Sequence, residues 1–471
     1  MTISIRRGGE LHGRSDQLNK VSTGVAGLDR ITGGGLPAGR LVALAGGPGC
    51  GKTVLAMQIL VNRLKYHGEP GLFISFEESP KKIRQNISAF DWGLETLDLS
   101  KLLLQEATGA RLDAMSLLAM ATEALAESGA RNVVIDGLDL FLDGLPGEQT
   151  ERSEIQRIAD WIAARGVLCL VTMKGSGGAG REQIREVAMQ YASDCVVQLS
   201  LTAKGNVATR SLRVMKYRGS AFLADSFPLV ISHLGLEVIP SPPARPYYFP
   251  QSERIASGIA GLDELLGGGY LRGSCILVTG APGTAKSSLA ASMMDAACHR
   301  GEKVLAASFA NQIIPNMRSI GLNLEDHRES GLLQVLSLRV PRAPEEQFLA
   351  IRRMVETHKP KVLVIDPVTA MQGPSYPFAP MIIETLLDYA QSNGITLLCT
   401  AHAASLEEIG PHSPVGTIAT IADTWIHMAQ SLGVEGRRRT LAVVKSRGSA
   451  HADEMHEMTM GRSGLALAAG L

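Results

Sequence analysis

VSTGVAGLDRITGGGLPAGRLVALAGGPGCGKT occupies residues 21–53, and IASGIAGLDELLGGGYLRGSCILVTGAPGTAKS occupies residues 255–287. The two stretches align without a gap at an offset of 255 − 21 = 234. The correspondence continues downstream. RNVVIDGLDLF matches KVLVIDPVTAM, with Asp136 against Asp366 (366 − 136 = 230), and LRVMKYRGS matches LAVVKSRGS, with Lys216 against Lys445 (445 − 216 = 229). So long a period exceeds any solenoid unit and reads as duplication of a whole domain. IPSPPARPYYFPQSE (239–253) carries five prolines and is the natural linker. The expected organisation is a flexible N-terminus (1–20), a first domain (21–238), the linker (239–253) and a second domain (254–471).

In each copy, short unbroken apolar runs alternate with amphipathic stretches of helical period. LVALAG, LFISF, VVIDG, LCLVTM and VVQLSL are such runs in the first copy; CILVTG, VLAASF, VLVID, TLLCTA and LAVVKS are those of the second. Buried β-branched runs separated by helices predict parallel strands, hence an α/β fold with helices on both sheet faces.

The chain has 471 residues, too many for one ordinary core. With 45% hydrophobic and 20% charged residues it is globular rather than disordered, and with 4% aromatics its cores must be aliphatic. Its 46 basic and 46 acidic side chains cancel, which offers no global attraction to nucleic acid or anionic membrane. A chain with so little charge repulsion suits self-association. The six cysteines form no C-x-x-C pair and lie mostly in apolar runs, as expected of reduced, buried thiols in a cytoplasmic protein. The first residues lack the apolar core of a signal peptide, and no run of about 18 uncharged apolar residues suggests a membrane span. The histidines are scattered and predict no metal site of their own; His402, at a strand end near the second site, reads as an interior or rim residue.

Gly46-Gly47-Pro48-Gly49-Cys50-Gly51-Lys52-Thr53 fits G-x-x-x-x-G-K-[ST] between a predicted strand and a predicted helix, the context a phosphate loop requires. The backbone N–H groups from Gly47, Gly49, Cys50 and Gly51 onward, through Val54, would surround the phosphates at a helix N-terminus. Lys52 would reach the β- and γ-phosphates and the Thr53 hydroxyl would bind Mg²⁺. The second loop ends in Gly283-Thr284-Ala285-Lys286-Ser287-Ser288, with Ala285 in place of the glycine before the lysine. A Cβ is tolerable there if Ala285 keeps right-handed dihedrals, Gly283 remains where flexibility matters most, and nucleotide binding is still expected. Asp136 and Asp366 end apolar strands, where a carboxylate either holds the metal's water shell, with Thr53 and Ser287, or caps the next helix.

The strand LFISF runs into Glu77-Glu78-Ser79. Two carboxylates at the C-terminal end of an α/β strand face the ligand crevice, and either Glu77 or Glu78 could take a proton from the attacking water. A solvated acidic turn is the plainer alternative. The second copy has Ala310-Asn311-Gln312 at this place and no carboxylate. The repeat thus predicts one hydrolytic and one nucleotide-holding site. Lys216 and Arg218, like Lys445 and Arg447, flank one residue and point to one side of a strand. They would serve as a finger on the γ-phosphate of a neighbouring subunit, or merely blunt an edge strand.

The order GLD, GGG, phosphate loop, FEES, VVID and K-x-R-G-S, given twice between about Val21 and Gly461, resembles the KaiC family of RecA-like ATPases. The resemblance implies two tandem RecA-like P-loop domains, ATP and Mg²⁺, and a two-tiered homohexameric ring with nucleotide between adjacent subunits. It places Lys52, Thr53, Glu77 and Glu78 in the first-domain site, with Lys216 and Arg218 reaching across from the next subunit. AFDWGLE (89–95) resembles a family stretch near the nucleotide. It also implies a signalling or timing switch, with a KaiB-like partner on the first domain. Departures are the lost second-domain glutamates and the acceptor region Thr417–Thr424, where Thr420 stands at the threonine acceptor position and Ala419 at the serine position. Autophosphorylation at Thr420 is therefore expected to be weak or absent. The short end after Gly461 argues against a KaiA-type regulator. Competing readings are a RecA/DnaB-like motor on nucleic acid, against which stand the few aromatics and the lack of any basic run beyond GRRRT (436–440), read as a solvated hairpin, and a non-catalytic scaffold assembled by ATP.

Overall fold

The computed structural model describes residues 18–107, 113–175, 181–242, 252–310, 312–340, 342–410, 414–433, 436–448, 454–462 and 464–468. Asn311, most of the linker and nearly all of the N-terminal segment read above lie outside these residues. The chain divides into two compact units, one of residues up to 240 without 204–207, the other of 204–207 and 241 onward.

The first unit is built on nine strands: β1 (Leu41–Gly46), β2 (Gly71–Ser75), β3 (Leu102–Glu106), β4 (Asn132–Asp136), β5 (Leu168–Met173), β6 (Cys195–Lys204), β7 (Val207–Tyr217), β8 (Ser226–Ser232) and β9 (Gly235–Val238). Their order in the sheet is 3-2-4-5-1-6-7-8-9. Strands β1, β2, β4 and β5 are buried along their whole length, as strands covered by helices on both faces must be. Their pairings, and those of β2 with β3 and β1 with β6, are parallel. Beyond β6 the character changes: β8 pairs antiparallel with both β7 and β9. The core lies between this sheet and its helices, with Leu72, Ile74, Val133, Ile135 and Val171 meeting Leu117, Ile158 and Ile162. Each such burial contributes about 1.5–3 kcal/mol.

The second unit repeats this plan with β10 (Cys275–Gly280), β11 (Val304–Ser308), β12 (Leu333–Ser337), β13 (Val362–Asp366), β14 (Thr396–His402), β15 (Thr424–Gly433), β16 (Gly436–Ser446), β17 (His456–Gly461) and β18 (Gly464–Leu467). Its order, 12-11-13-14-10-15-16-17-18, is that of the first sheet strand for strand. One expectation is corrected here. LAVVKS is not a parallel strand: it is the end of β16, which pairs antiparallel with β15 over a long hairpin. A half-buried hairpin strand can end in an apolar run, so the run alone does not fix direction. GRRRT begins β16, with Arg437 and Arg438 exposed.

The GLD and GGG signatures belong to the architecture. The Asp29 carboxylate accepts from the Thr23 N–H (2.8 Å) and from the hydroxyls of Thr23 (2.7 Å) and Ser22 (2.7 Å). It thereby fastens a two-residue strand (Lys20–Val21) that pairs with Leu36–Pro37. Asp263 accepts from the Ser257 N–H in the same way.

Candidate functional site

In both units the strand order reverses about the central strand, β1 or β10, and an α/β sheet opens its ligand crevice at the carboxyl end of such a strand. The phosphate-loop sequences lie there. β1 leads through the loop into α1 (Lys52–His67), and β10 leads into α2 (Lys286–His299). A Cβ built on Gly47 would meet nothing within 4 Å, so the loop opens onto free space at this point. Gly51 enters α1 with φ 106°, which favours glycine.

Lys52 donates from Nζ to the Gly46 (2.8 Å) and Gly47 (3.0 Å) carbonyls, folding back over its own loop. Lys286 does the same to Gly280 (2.7 Å) and Ala281 (2.8 Å). Burial lowers the Lys286 pKa, and the Asp366 charge opposes this. The Thr53 hydroxyl donates to Asp136 Oδ1 (3.1 Å), which also accepts from the Thr172 hydroxyl (2.7 Å). Asp136 is only 1% exposed, and burial raises its pKa despite these two bonds. A hydroxyl and a carboxylate side by side at the mouth of a phosphate loop are a hard oxygen set that fits Mg²⁺. Asp366 likewise accepts from Thr400, so Thr172 and Thr400 are matching supports that the strand runs did not reveal.

Cys50 is fully buried, and Thr284, its counterpart, turns its hydroxyl to the Ala281 carbonyl (2.9 Å). The hydroxyl of Ser288 faces inward, against Met460 Sδ (3.9 Å). Ala285 departs from expectation. It sits at φ 76°, ψ 27°, left-handed like Gly51, because the loop needs the same bend into its helix. The condition set on this alanine, right-handed dihedrals, is not met, and the second loop carries strain of about 1–2 kcal/mol.

The two glutamates of the first unit part company. Ser75 Oγ accepts from the N–H groups of Glu77 (3.2 Å) and Glu78 (2.9 Å) and fixes the turn. Glu78 then pairs with Lys82 (2.8 Å) and accepts from Asn86 (2.9 Å) on the following helix. Glu77 instead lies across Gly137, whose Cβ, if it had one, would fall 2.7 Å from Glu77 Cγ. Its charge is one cause of the raised Asp136 pKa. The second unit has Ala310 at this turn and Pro367 in place of Gly137, so the carboxylate and the space reserved for it are lost together.

A cleft of about 620 Å³ begins at Thr53 and Val54, passes Glu77 and Glu78, and ends at Phe90 and Trp92. These two rings are stacked, 4.7 Å apart and 8° from parallel. AFDWGLE thus contributes the cleft's aromatic end.

Lys216 and Arg218 lie at the end of β7 but away from the loop of their own unit. Lys216 donates to the Gln190 carbonyl and to that of Ser193 (2.7 Å), and Arg218 to that of Tyr191 (2.8 Å). Lys445 and Arg447 repeat the pattern at the end of the helix Pro414–Ile421, on the carbonyls of Ala419 and Thr420. Burial lowers the pKa of both lysines, and the neighbouring arginine adds to it. Thr420 is exposed on that helix, and its hydroxyl donates to Gly416 (2.9 Å). Two arginines escaped notice in the sequence. Arg210 Nε donates to the Gly49 carbonyl (3.1 Å) and Arg439 Nε to that of Gly283 (3.4 Å). The signal was present: each stands six residues before its lysine (216 − 210 and 445 − 439). Arg439 belongs to the cluster read as wholly solvated. His402 stands at the exposed end of β14, and partial desolvation of its ring, with the Lys286 charge, lowers its pKa. Among the described residues no helix is long and apolar enough to cross a membrane.

Two mostly parallel sheets, each with a phosphate loop at its point of reversal, define a protein of tandem RecA-like P-loop nucleotide-binding domains. The family model "ATPase: KaiC" matches twice, over residues 21–243 and 255–469. The circadian clock protein KaiC2 of Synechocystis is 34% identical over 474 residues, covering 96% of this chain and 82% of that protein. The circadian clock oscillator protein KaiC of Picosynechococcus is 31% identical, covering 96% of this chain and 90% of that protein. The chain belongs to the KaiC family of ATPases.

Proposed function

We propose that this protein is a Mg²⁺-dependent ATPase that hydrolyses ATP in its first domain and holds ATP in its second. The observation that carries this reading is the position of Glu77, beside Gly137 and Asp136 at the loop, set against Ala310 in the second copy. Glu77 takes the proton of the attacking water; Glu78, tied to Lys82 and Asn86, holds the turn. Lys52 and Lys286 leave their loop carbonyls for the phosphates. Thr53 with Asp136, and Ser287 with Asp366, would hold Mg²⁺, which would screen the phosphate charge. Lys216, Arg218, Lys445 and Arg447 act across a subunit boundary, which requires a ring; the family suggests a two-tiered homohexamer. Ring conformation then follows the first-domain nucleotide and serves as a slow signalling or timing switch, with a KaiB-like protein as candidate partner. The six buried free cysteines suit a reducing cytoplasm. Thr420 has no carboxylate at the Ala310 turn to activate it, so autophosphorylation is at most weak.

The test is phosphate release by wild type and by Glu77→Gln/Glu78→Gln with Mg²⁺-ATP, with particle mass measured in the same samples. Activity should fall at least about 100-fold in an intact ring, the contribution usual for a general base. Undiminished turnover would refute hydrolysis in the first domain, and turnover stimulated by single-stranded DNA would favour the motor reading.

A further inference from the structure

We propose that Asp295, His299 and His327 form a binding site for a borderline transition-metal ion, Zn²⁺ in the first instance, on the second domain. The histidines are scattered in sequence and predict no metal site, yet folding brings two of them to one carboxylate. Asp295 and His299 are one helical turn apart at the end of α2, and His327 projects from the short helix Leu324–Glu329 packed beside it. His327 Nε2 lies 2.9 Å from Asp295 Oδ1, and His299 Nδ1 lies 3.3 Å from Asp295 Oδ2. All three ligand atoms fall within 4.8 Å of one another, and the two imidazoles meet edge to face at 4.8 Å. Ligands at about 2.0–2.1 Å around a tetrahedral ion are separated by about 3.3 Å, so closure onto one ion needs a side-chain rotation that frees His299 Nδ1 from the Asp295 carbonyl, 2.9 Å away.

The donor set selects the ion. Two imidazoles and one carboxylate are a familiar Zn²⁺ set that leaves a fourth position for water, whereas Mg²⁺ prefers oxygen alone. The Mg²⁺ that accompanies ATP would therefore not compete. Exposure is graded suitably: the side chains of His327 and Asp295 are 13% and 22% exposed, and that of His299 is 68% exposed, which gives an entry path. The repeat supplies an internal contrast. At the corresponding positions of α1, offset by 234, stand Val61 and Lys65, which cannot ligate. The site would lie toward the far end of the helix whose first turn holds Lys286 and Ser287, about 14–20 Å along it from the phosphate loop. Bound metal would clamp the last turn of that helix to its neighbour.

The test uses the full chain, freed of metal with EDTA and without nucleotide, titrated with ZnCl₂ by calorimetry and with Co²⁺ by visible absorption. Wild type should take up one equivalent of Zn²⁺ and give the absorption bands of a low-coordinate Co²⁺ site. His299→Ala and His327→Ala should each weaken binding about tenfold or more, since even outer-shell losses cost that much. His299 is exposed enough that its variant should melt as wild type does; if His327→Ala loses stability, His299→Ala decides alone. Absence of saturable binding by wild type overturns the proposal. So does equal binding by wild type and His299→Ala, which would put the ion elsewhere.

Discussion

At the scale of single residues, the two adjacent glutamates illustrate how position divides like side chains. Glu78 has a lysine and an amide as partners, while Glu77 reaches the Asp136 side of the loop. Glu77→Gln alone should therefore carry most of the loss in phosphate release, and Glu78→Gln alone should cost less than about tenfold. Single-turnover assays on the two variants check this; equal losses would mean that the carboxylates work as a unit. A second residue tests electrostatics away from the site. Glu345 is 3% exposed in the first turn of the helix Pro344–His358, and its Oε2 has no hydrogen-bond partner among the described residues. Burial, and after it the neighbouring Glu346, raise its pKa. A carboxyl that holds its proton more tightly folded than unfolded loses stability as pH rises through the interval between the two pKa values. The penalty is absent below the ordinary carboxylate pKa and grows as the pH rises above it. Glu345→Gln should therefore be more stable than wild type at pH 7, with the difference shrinking to nothing below the ordinary carboxylate pKa. Thermal melts over that range measure it.

At the scale of elements, the strained entry to α2 makes its own prediction. Ala285 adopts dihedrals that glycine adopts freely, and its counterpart Gly51 does so at no cost. Ala285→Gly should stabilise the second domain by about 1 kcal/mol, the lower end of the cost of a left-handed L-residue. Denaturant unfolding followed by Trp425 fluorescence, in a chain with Trp92 and Trp161 replaced by Phe, reads that domain alone. An unchanged midpoint would mean that packing of the alanine methyl offsets the strain. This strain was not legible in the sequence, because substitution at one loop position does not say which dihedrals survive. The central strands were legible, since LVALAG or VLVID is buried on both faces and cannot alternate. The outer strands were less so. LLLQE and LQVLS are half-buried edges, and the antiparallel segments after β6 and β15 mix exposed and buried positions in ways a search for apolar runs passes over. Arg210 and Arg439 went unseen for a related reason: a charge on an exposed strand looks solvated until the hairpin curls it toward the loop.

At the scale of the whole molecule, the lysine–arginine pairs decide whether the site is complete within one chain. Lys216 and Arg218 hold carbonyls at the end of the helix Arg181–Ala192, and Lys445 and Arg447 hold those at the end of Pro414–Ile421, so each pair has a helix-capping role in its own unit. Recurrence in both copies fits capping and fits a finger equally, and sequence spacing cannot separate them. A mixed-ring experiment can. Chains with Lys216→Ala/Arg218→Ala retain the base, and chains with Glu77→Gln retain the cations; each ring alone should be nearly inactive. If the cations serve the neighbour, every contact in a head-to-tail ring joins one chain's base to the next chain's cations. In randomly mixed equimolar rings, one contact in four then has both intact, and turnover should recover to about a quarter of wild type once subunits exchange. If the cations act only within their own chain, no mixture can place an intact base beside intact cations, and turnover stays at the level of the separate variants. Recovery would establish that hydrolysis in the first domain depends on assembly; its absence, with exchange verified by mass, would return these residues to helix capping.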